Sequence, residues 1–217
     1  MIDFAAARRH MVDGQVRTAD VTDLRILSAM QEIPREHFVP PASADIAYLD
    51  FDLPVGEGGS RRLIKPMVLA KLIHAAEIAS TDRVLDVGCA TGYGAAVLSR
   101  VAGAVFALEQ DVGLAQAART ALAGTTNVSV VSGSLTAGWP QGGPYDVIIL
   151  EGATEIAPQA YLSQLKEGGR LACVLGSGPG AKAMIYYRSG DELGGRPVFD
   201  ASAALLPGFA KIPVFAF

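Results

Sequence analysis

The sequence is short of the residues on which many chemistries depend. Its 217 residues include two cysteines, three histidines and one tryptophan, and only 18% are charged. Cys89 and Cys173 stand apart inside apolar runs, so they read as buried thiols of a reducing compartment and not as a disulfide. His10, His37 and His74 are too widely separated to propose a metal site. Eighteen Lys and Arg against 22 Asp and Glu leave a formal net charge of -4. With no basic run to track a phosphate backbone, nucleic acid is not the expected partner. Long apolar runs are also missing. Arg83, Asp86, Arg100, Glu109 and the Gly176 to Gly180 turn interrupt every stretch approaching the ~18 residues of a membrane span. The N-terminus carries Asp3, Arg8, Arg9 and Asp13 and lacks the apolar core of a signal peptide, so a cytoplasmic protein is expected.

Apolar residues, by contrast, make up 50% of the chain, with a mean hydropathy of +0.31, which excludes disorder. At ~150 residues per domain the length points to one core with an appendage. The character of the chain changes near residue 80. Before it, Leu24, Leu27 and Met30 recur at one-face helical spacing after Asp20-Val21-Thr22-Asp23, and Pro34 ends that helix. A loop rich in Pro, Gly and Asp runs from Pro40 to Lys65, and Pro66 opens a helix to about Ile78. After residue 80, β-branched runs alternate with Ala-rich stretches, as in βαβ units. Strands are expected at Val84 to Val87, Val105 to Leu108, Val128 to Val131, Val147 to Leu150, Leu171 to Leu175, Ala183 to Arg188 and Ile212 to Phe217. Helices are expected near Tyr93 to Val101, Val112 to Leu122 and Pro158 to Leu165. The fold class is thus α/β, with a helical extension and substrate loop over residues 1–80 and a Rossmann-like core over 81–217, together one structural domain.

The most informative segment is Arg83-Val84-Leu85-Asp86-Val87-Gly88-Cys89-Ala90-Thr91-Gly92-Tyr93-Gly94, a strand that runs through glycines into a helix. Ligands of open α/β sheets bind outside the carboxyl ends of the strands, where glycine lets the backbone come close. The spacing Gly88, Gly92, Gly94 fails the G-x-G-x-x-G pattern that cradles a pyrophosphate. Asp86 would repel a phosphate and suits a cationic ligand such as S-adenosylmethionine. Glu109 stands 23 residues further on, where an acid can accept hydrogen bonds from both ribose hydroxyls. A nicotinamide cofactor, whose ribose Glu109 would also serve, is the competing reading.

Several blocks in order resemble the protein-L-isoaspartate O-methyltransferases. They are Met11-Val12-Asp13-Gly14-Gln15-Val16-Arg17, Ile33-Pro34-Arg35-Glu36-His37-Phe38-Val39-Pro40, Leu53-Pro54-Val55-Gly56, Pro66-Met67-Val68, the glycine turn, and Glu155-Ile156-Ala157-Pro158 through Leu171. The resemblance implies a seven-stranded methyltransferase sheet in three αβα layers. It also implies S-adenosylmethionine as donor, S-adenosylhomocysteine as product, and methylation of isoaspartyl carboxylates in damaged proteins or peptides. Donor contacts are implied at Asp86, Gly88, Cys89, Ala90, Gly92, Glu109, Gln110 and Ser134. Three departures stand out. Ala90 replaces the loop's usual middle glycine. Ser132-Gly133-Ser134-Leu135 replaces Gly-Asp-Gly, so Ser134 offers only a hydroxyl. Gly58-Gly59-Ser60-Arg61-Arg62-Leu63-Ile64-Lys65-Pro66 replaces a segment that supplies active-site hydroxyls, and leaves Ser60 as the catalytic candidate.

A substrate carboxylate is already ionised at neutral pH, so no general base is required. Arg61, Arg62 and Lys65 are candidates to grip it, because guanidinium donors match a carboxylate. Two alternatives stay open: a methyltransferase of this fold with another substrate, and a catalytically silent S-adenosylmethionine-binding protein. The oligomeric state is not legible.

Overall fold

The structure, a computed structural model, describes residues 2–211. The N-terminal region folds as α1 (Phe4–Met11), a π-helical turn (Val12–Val16) and α2 (Leu24–Glu32), followed by the small hairpin β1 (Leu53–Val55) and β2 (Arg61–Leu63), then α3 (Pro66–Ala75). Asp3 and Asp23 cap α1 and α2 by accepting from backbone N–H groups of the first turns, and Pro66 opens α3. The hairpin pairs Val55 with Arg61 and Leu53 with Leu63. That register turns Arg61 and Leu63 inward and leaves Arg62 exposed.

The remainder alternates β3 (Arg83–Val87), α4 (Tyr93–Leu98), β4 (Ala104–Glu109), α5 (Val112–Ala121), β5 (Val128–Ser132), β6 (Tyr145–Thr154), β7 (Leu165–Leu175), β8 (Lys182–Ser189) and β9 (Glu192–Asp200). Seven strands form one sheet in the order β5-β4-β3-β6-β7-β8-β9. The five from β5 to β7 are parallel, and β8 and β9 join antiparallel. Strand alternation divides the core between the two faces. Val84, Val105, Val147, Ile149 and Val174 pack with residues of all five α-helices. Leu85, Val87, Leu108, Ile148, Leu150 and Cys173 pack under Leu135, Tyr161, Leu206 and Phe209. The N-terminal helices therefore share one core with the sheet.

Three layers result, but the second outer layer is built of short turns. The helix expected at Pro158 to Leu165 is a 3-10 run, Gln159–Gln164. Leu165 already pairs with Tyr145 as the first residue of β7, and six residues are too few for a regular helix of ordinary length. The strand expected at Ile212 to Phe217 lies outside the described residues, and the seventh strand of the sheet is β9. No helix among the described residues is long and apolar enough to cross a membrane.

Candidate functional site

Three acids gather at the carboxyl ends of adjacent strands. Asp86 lies on β3, between β4 and β6, Glu109 ends β4, and Glu151 stands near the end of β6. All are buried, Asp86 and Glu109 fully and Glu151 with 3% exposure. Asp86 pairs with Ile149 across the β3–β6 ladder, so Glu151, two residues on, comes out on the same face. The β6–β7 register slips between Ile149 and Ala153, and this bulge contains Glu151.

The three acids are not equally satisfied. Glu109 accepts four hydrogen bonds: Oε1 from the backbone of Gln110 and Asp111 at 2.9 and 3.1 Å, Oε2 from the backbone of Ala90 at 2.9 Å and from Arg61 Nη2 at 3.2 Å. Neither oxygen of Asp86 or of Glu151 has a hydrogen-bond donor among the described residues. Burial pushes the Asp86 carboxyl up to about 7. Burial, and then the charge of Asp86, push Glu151 up as well. Arg35 Nη1 and the Tyr93 hydroxyl are also buried without partners among the described residues. The Arg35 guanidinium lies 4.6 Å from the Tyr93 ring centroid, and its other nitrogens donate to the carbonyls of Ala47 and Ile64. A buried polar group left unpaired costs ~1–3 kcal/mol, so such atoms mark a place where a ligand or water is expected.

The glycine turn lies over these acids. Gly88 and Cys89 donate their backbone N–H groups to Leu108. A side chain on Gly88 would come within 2.9 Å of both Arg61 Nη2 and Leu206 Cδ2, and Arg61 Nη2 also donates to the Gly88 carbonyl at 3.0 Å. Ala90 sits at φ +50°, in the left-handed region where the steric cost of a β-carbon is roughly 1–2 kcal/mol. That conformation explains why glycine suits this position. Ala90→Gly is expected to stabilise the protein by about 1 kcal/mol, part of the relief being offset by added freedom in the unfolded chain. Denaturant unfolding measures it, and an unchanged midpoint would remove strain as the explanation.

The structure brings most of the sequence-derived donor residues together. Asp86, Gly88, Cys89, Ala90, Gly92 and Glu109 form one buried patch. Cys89 is enclosed, and burial raises its thiol well above the ordinary range, as suits an inert small residue. Gln110 and Ser134 are exposed at its edge, linked through Leu135, whose N–H donates to Gln110 Oε1 at 3.4 Å. The three basic candidates separate: Arg61 is buried against Glu109, Arg62 faces solvent, and Lys65 Nζ reaches Ser202 Oγ at 3.2 Å. Ser60 is exposed beside Gly56. A cleft of about 600 Å³ lies next to the turn, lined by Phe38, Val55, Gly56, Thr91, Asp111 and Leu114 among others. None of the buried acids lines it; the unpaired carboxylates, not the roominess of the cleft, locate the chemistry.

Residues 6–194 match the model of the protein-L-isoaspartate(D-aspartate) O-methyltransferase family. The chain belongs to that family. A protein-L-isoaspartate O-methyltransferase of Methylorubrum extorquens is 41% identical over 184 residues, 84% of this chain and 79% of the relative. A protein-L-isoaspartate O-methyltransferase 1 of Rhodopseudomonas palustris is 39% identical, covering 84% and 74%. Among solved structures, a protein-L-isoaspartate O-methyltransferase superposes with a TM-score of 0.78 at 27% identity, covering 92% of this chain and 66% of the other. A Plasmodium falciparum chain solved in complex with S-adenosyl-L-homocysteine shares the fold, with a TM-score of 0.76 at 14% identity over 92% of this chain and 97% of its own. This is a family of S-adenosylmethionine-dependent methyltransferases, so the nicotinamide reading falls away.

Glu151, Arg35 and Tyr93 are the site residues that sequence reasoning missed. For Glu151 a signal was present: an acid directly after the apolar run Val147 to Leu150, as Glu109 directly follows Val105 to Leu108.

Proposed function

We propose that the protein transfers a methyl group from S-adenosylmethionine to the free carboxylate of isoaspartyl residues in damaged proteins or peptides. The observation that carries the donor half is the pair of unpartnered buried carboxylates, Asp86 and Glu151, beneath a glycine turn whose neighbouring strand ends in Glu109. The substrate half comes from the relatives, which are named for that reaction.

The residues present fit the donor in kind. Buried carboxylates lacking partners suit its cationic amino-acid end, and Glu109, its four acceptor sites filled here, takes a ribose hydroxyl in place of Arg61. Gln110 and Ser134, where the resemblance implies further donor contacts, border the patch. When bound, the donor supplies an activated methyl group on sulfur. The chain's own task is to hold the acceptor in line and keep water out, since a carboxylate nucleophile needs no base. Well-oriented groups can save roughly 7–11 kcal/mol of barrier. Exposed Arg62, with Lys65 beside it, is placed to attract an anionic substrate, whereas Arg61 faces the donor patch. Ser60 is the candidate hydroxyl at the substrate side.

A second reading keeps the donor and changes the acceptor. It is favoured by the inward turn of Arg61 and by Ser60 being the lone hydroxyl between Gly58 and Pro66. A labelled methyl-transfer assay on an isoaspartyl peptide and its aspartyl twin separates the two. Label in the isoaspartyl peptide alone is expected. Label in neither, with donor binding intact, would overturn the substrate and leave the second reading or a silent binder.

A further inference from the structure

We propose that Glu151 is a donor-binding residue, forming with Asp86 a two-carboxylate seat that shares a proton when empty and gives it up when the cationic end of S-adenosylmethionine enters. This rests on the donor reading above and adds to it a residue and a proton balance.

The seat is a matter of geometry. Asp86 and Glu151 project from neighbouring parallel strands onto one face, and the β6 bulge holds Glu151 there. Gly94, in the first turn of α4, makes the room: a β-carbon on it would stand 1.5 Å from Glu151 Oε1. All four carboxylate oxygens are buried and lack donors among the described residues. Two like charges in such a place cannot both persist without a counter-charge, so a proton is retained. The surrounding elements do not remove that need. Glu109 on β4 adds a further negative charge, but Arg61 on β2 is bonded to it. Arg35 contributes a positive charge from the N-terminal region, with two of its nitrogens committed to backbone carbonyls. Tyr93 and Cys89 stay neutral, their protons held by burial. The amino-acid end of the donor brings an ammonium and a sulfonium against one carboxylate. The two cationic centres, ammonium and sulfonium, offer one partner for each of the two carboxylates, so that both ionise when the seat is filled.

Binding then releases a proton, and affinity rises with pH until the empty pair is itself ionised. Calorimetric titration of the whole protein with S-adenosylmethionine, at pH 8, above the value of about 7 for Asp86, in two buffers of different ionisation enthalpy, counts the protons directly. Close to one proton released per donor bound is expected, with affinity weakening about tenfold per pH unit below the pair's apparent pKa. Glu151→Gln is expected to release none and to show a flattened profile; the ligand's own titration is common to both proteins. Binding by the unaltered protein without proton release, or an unchanged release in Glu151→Gln, would overturn the shared seat. The first outcome needs no variant to fold. Absence of any binding by the unaltered protein would overturn the donor reading, and this inference with it.

Discussion

Asp86→Asn is expected to weaken S-adenosylmethionine binding at least a hundredfold while making the ligand-free protein more stable near pH 8. Removing one member of a buried charge pair costs ~2–5 kcal/mol of binding, and here the amide removes the counter-charge of the donor's cationic end. The effect on stability has the opposite sign. Asp86 is fully buried with no donor to either oxygen among the described residues, and burial raises its carboxyl to about 7. Below the unfolded value of ~3.9 the carboxyl is protonated in both states and nothing is lost. As pH rises, the unfolded chain ionises first and the folded state falls behind, a penalty on the order of 4 kcal/mol that is complete above pH 7. A buried asparagine with unpaired groups offsets about 1–3 kcal/mol of the gain. A net stabilisation of roughly 2 kcal/mol at pH 8 should therefore shrink as pH falls and reverse toward pH 4, where only the cost of the unpaired amide, about 1–3 kcal/mol, remains. Thermal melts across that range, paired with binding isotherms, check both halves. Unchanged donor affinity would refute the site, and a stabilisation independent of pH would refute its electrostatic origin.

Much of this arrangement could be read from residue order. The parallel strands were legible because burial on both faces makes them continuous apolar runs, Asp86 because it stands just ahead of the glycine turn, and Glu109 because it ends the next run. What could not be read depends on register. Arg61 and Arg62 are adjacent and chemically alike; only the pairing of Val55 with Arg61 decides which enters the protein. The acid after the run Val147 to Leu150 is visible in the sequence, but its place beside Asp86 is set by the β3–β6 register and by the bulge after Ile149, where one strand takes extra residues against its neighbour. The edge strand β9 was missed for a different reason. Seven of its nine residues are exposed, and it contains Gly194, Gly195 and Pro197, so it lacks both apolar run and alternation. Its evidence is the ladder to β8. The features that specify chemistry here thus lie where strands meet, one step beyond what a single segment encodes.

Arg61→Ala is expected to lower stability and tighten donor binding together. The guanidinium is 6% exposed and donates to Glu109 Oε2 at 3.2 Å and to the Gly88 carbonyl at 3.0 Å. Breaking a buried pair by removing one partner costs ~3–5 kcal/mol. The lower end applies here, because Glu109 keeps three backbone donors. The same contacts oppose the ligand. Arg61 Nη2 holds the Glu109 oxygen assigned to the ribose, and with Leu206 it stands over Gly88, the position whose missing side chain leaves the approach open. Donor entry must break these bonds, and hydrogen bonds to charged groups contribute ~1.5–3 kcal/mol each. Deleting the side chain removes that competition, so S-adenosylmethionine should bind at least tenfold more tightly to a protein that melts at a lower temperature. Weaker binding by Arg61→Ala would reverse the assignment and place the guanidinium on the donor's carboxylate. Arg61→Met keeps a side-chain stem but puts no atom where the guanidinium stands over Gly88: it should bind as Ala does, and binding as poor as that of arginine would place the obstacle in the stem and not in the ion pair.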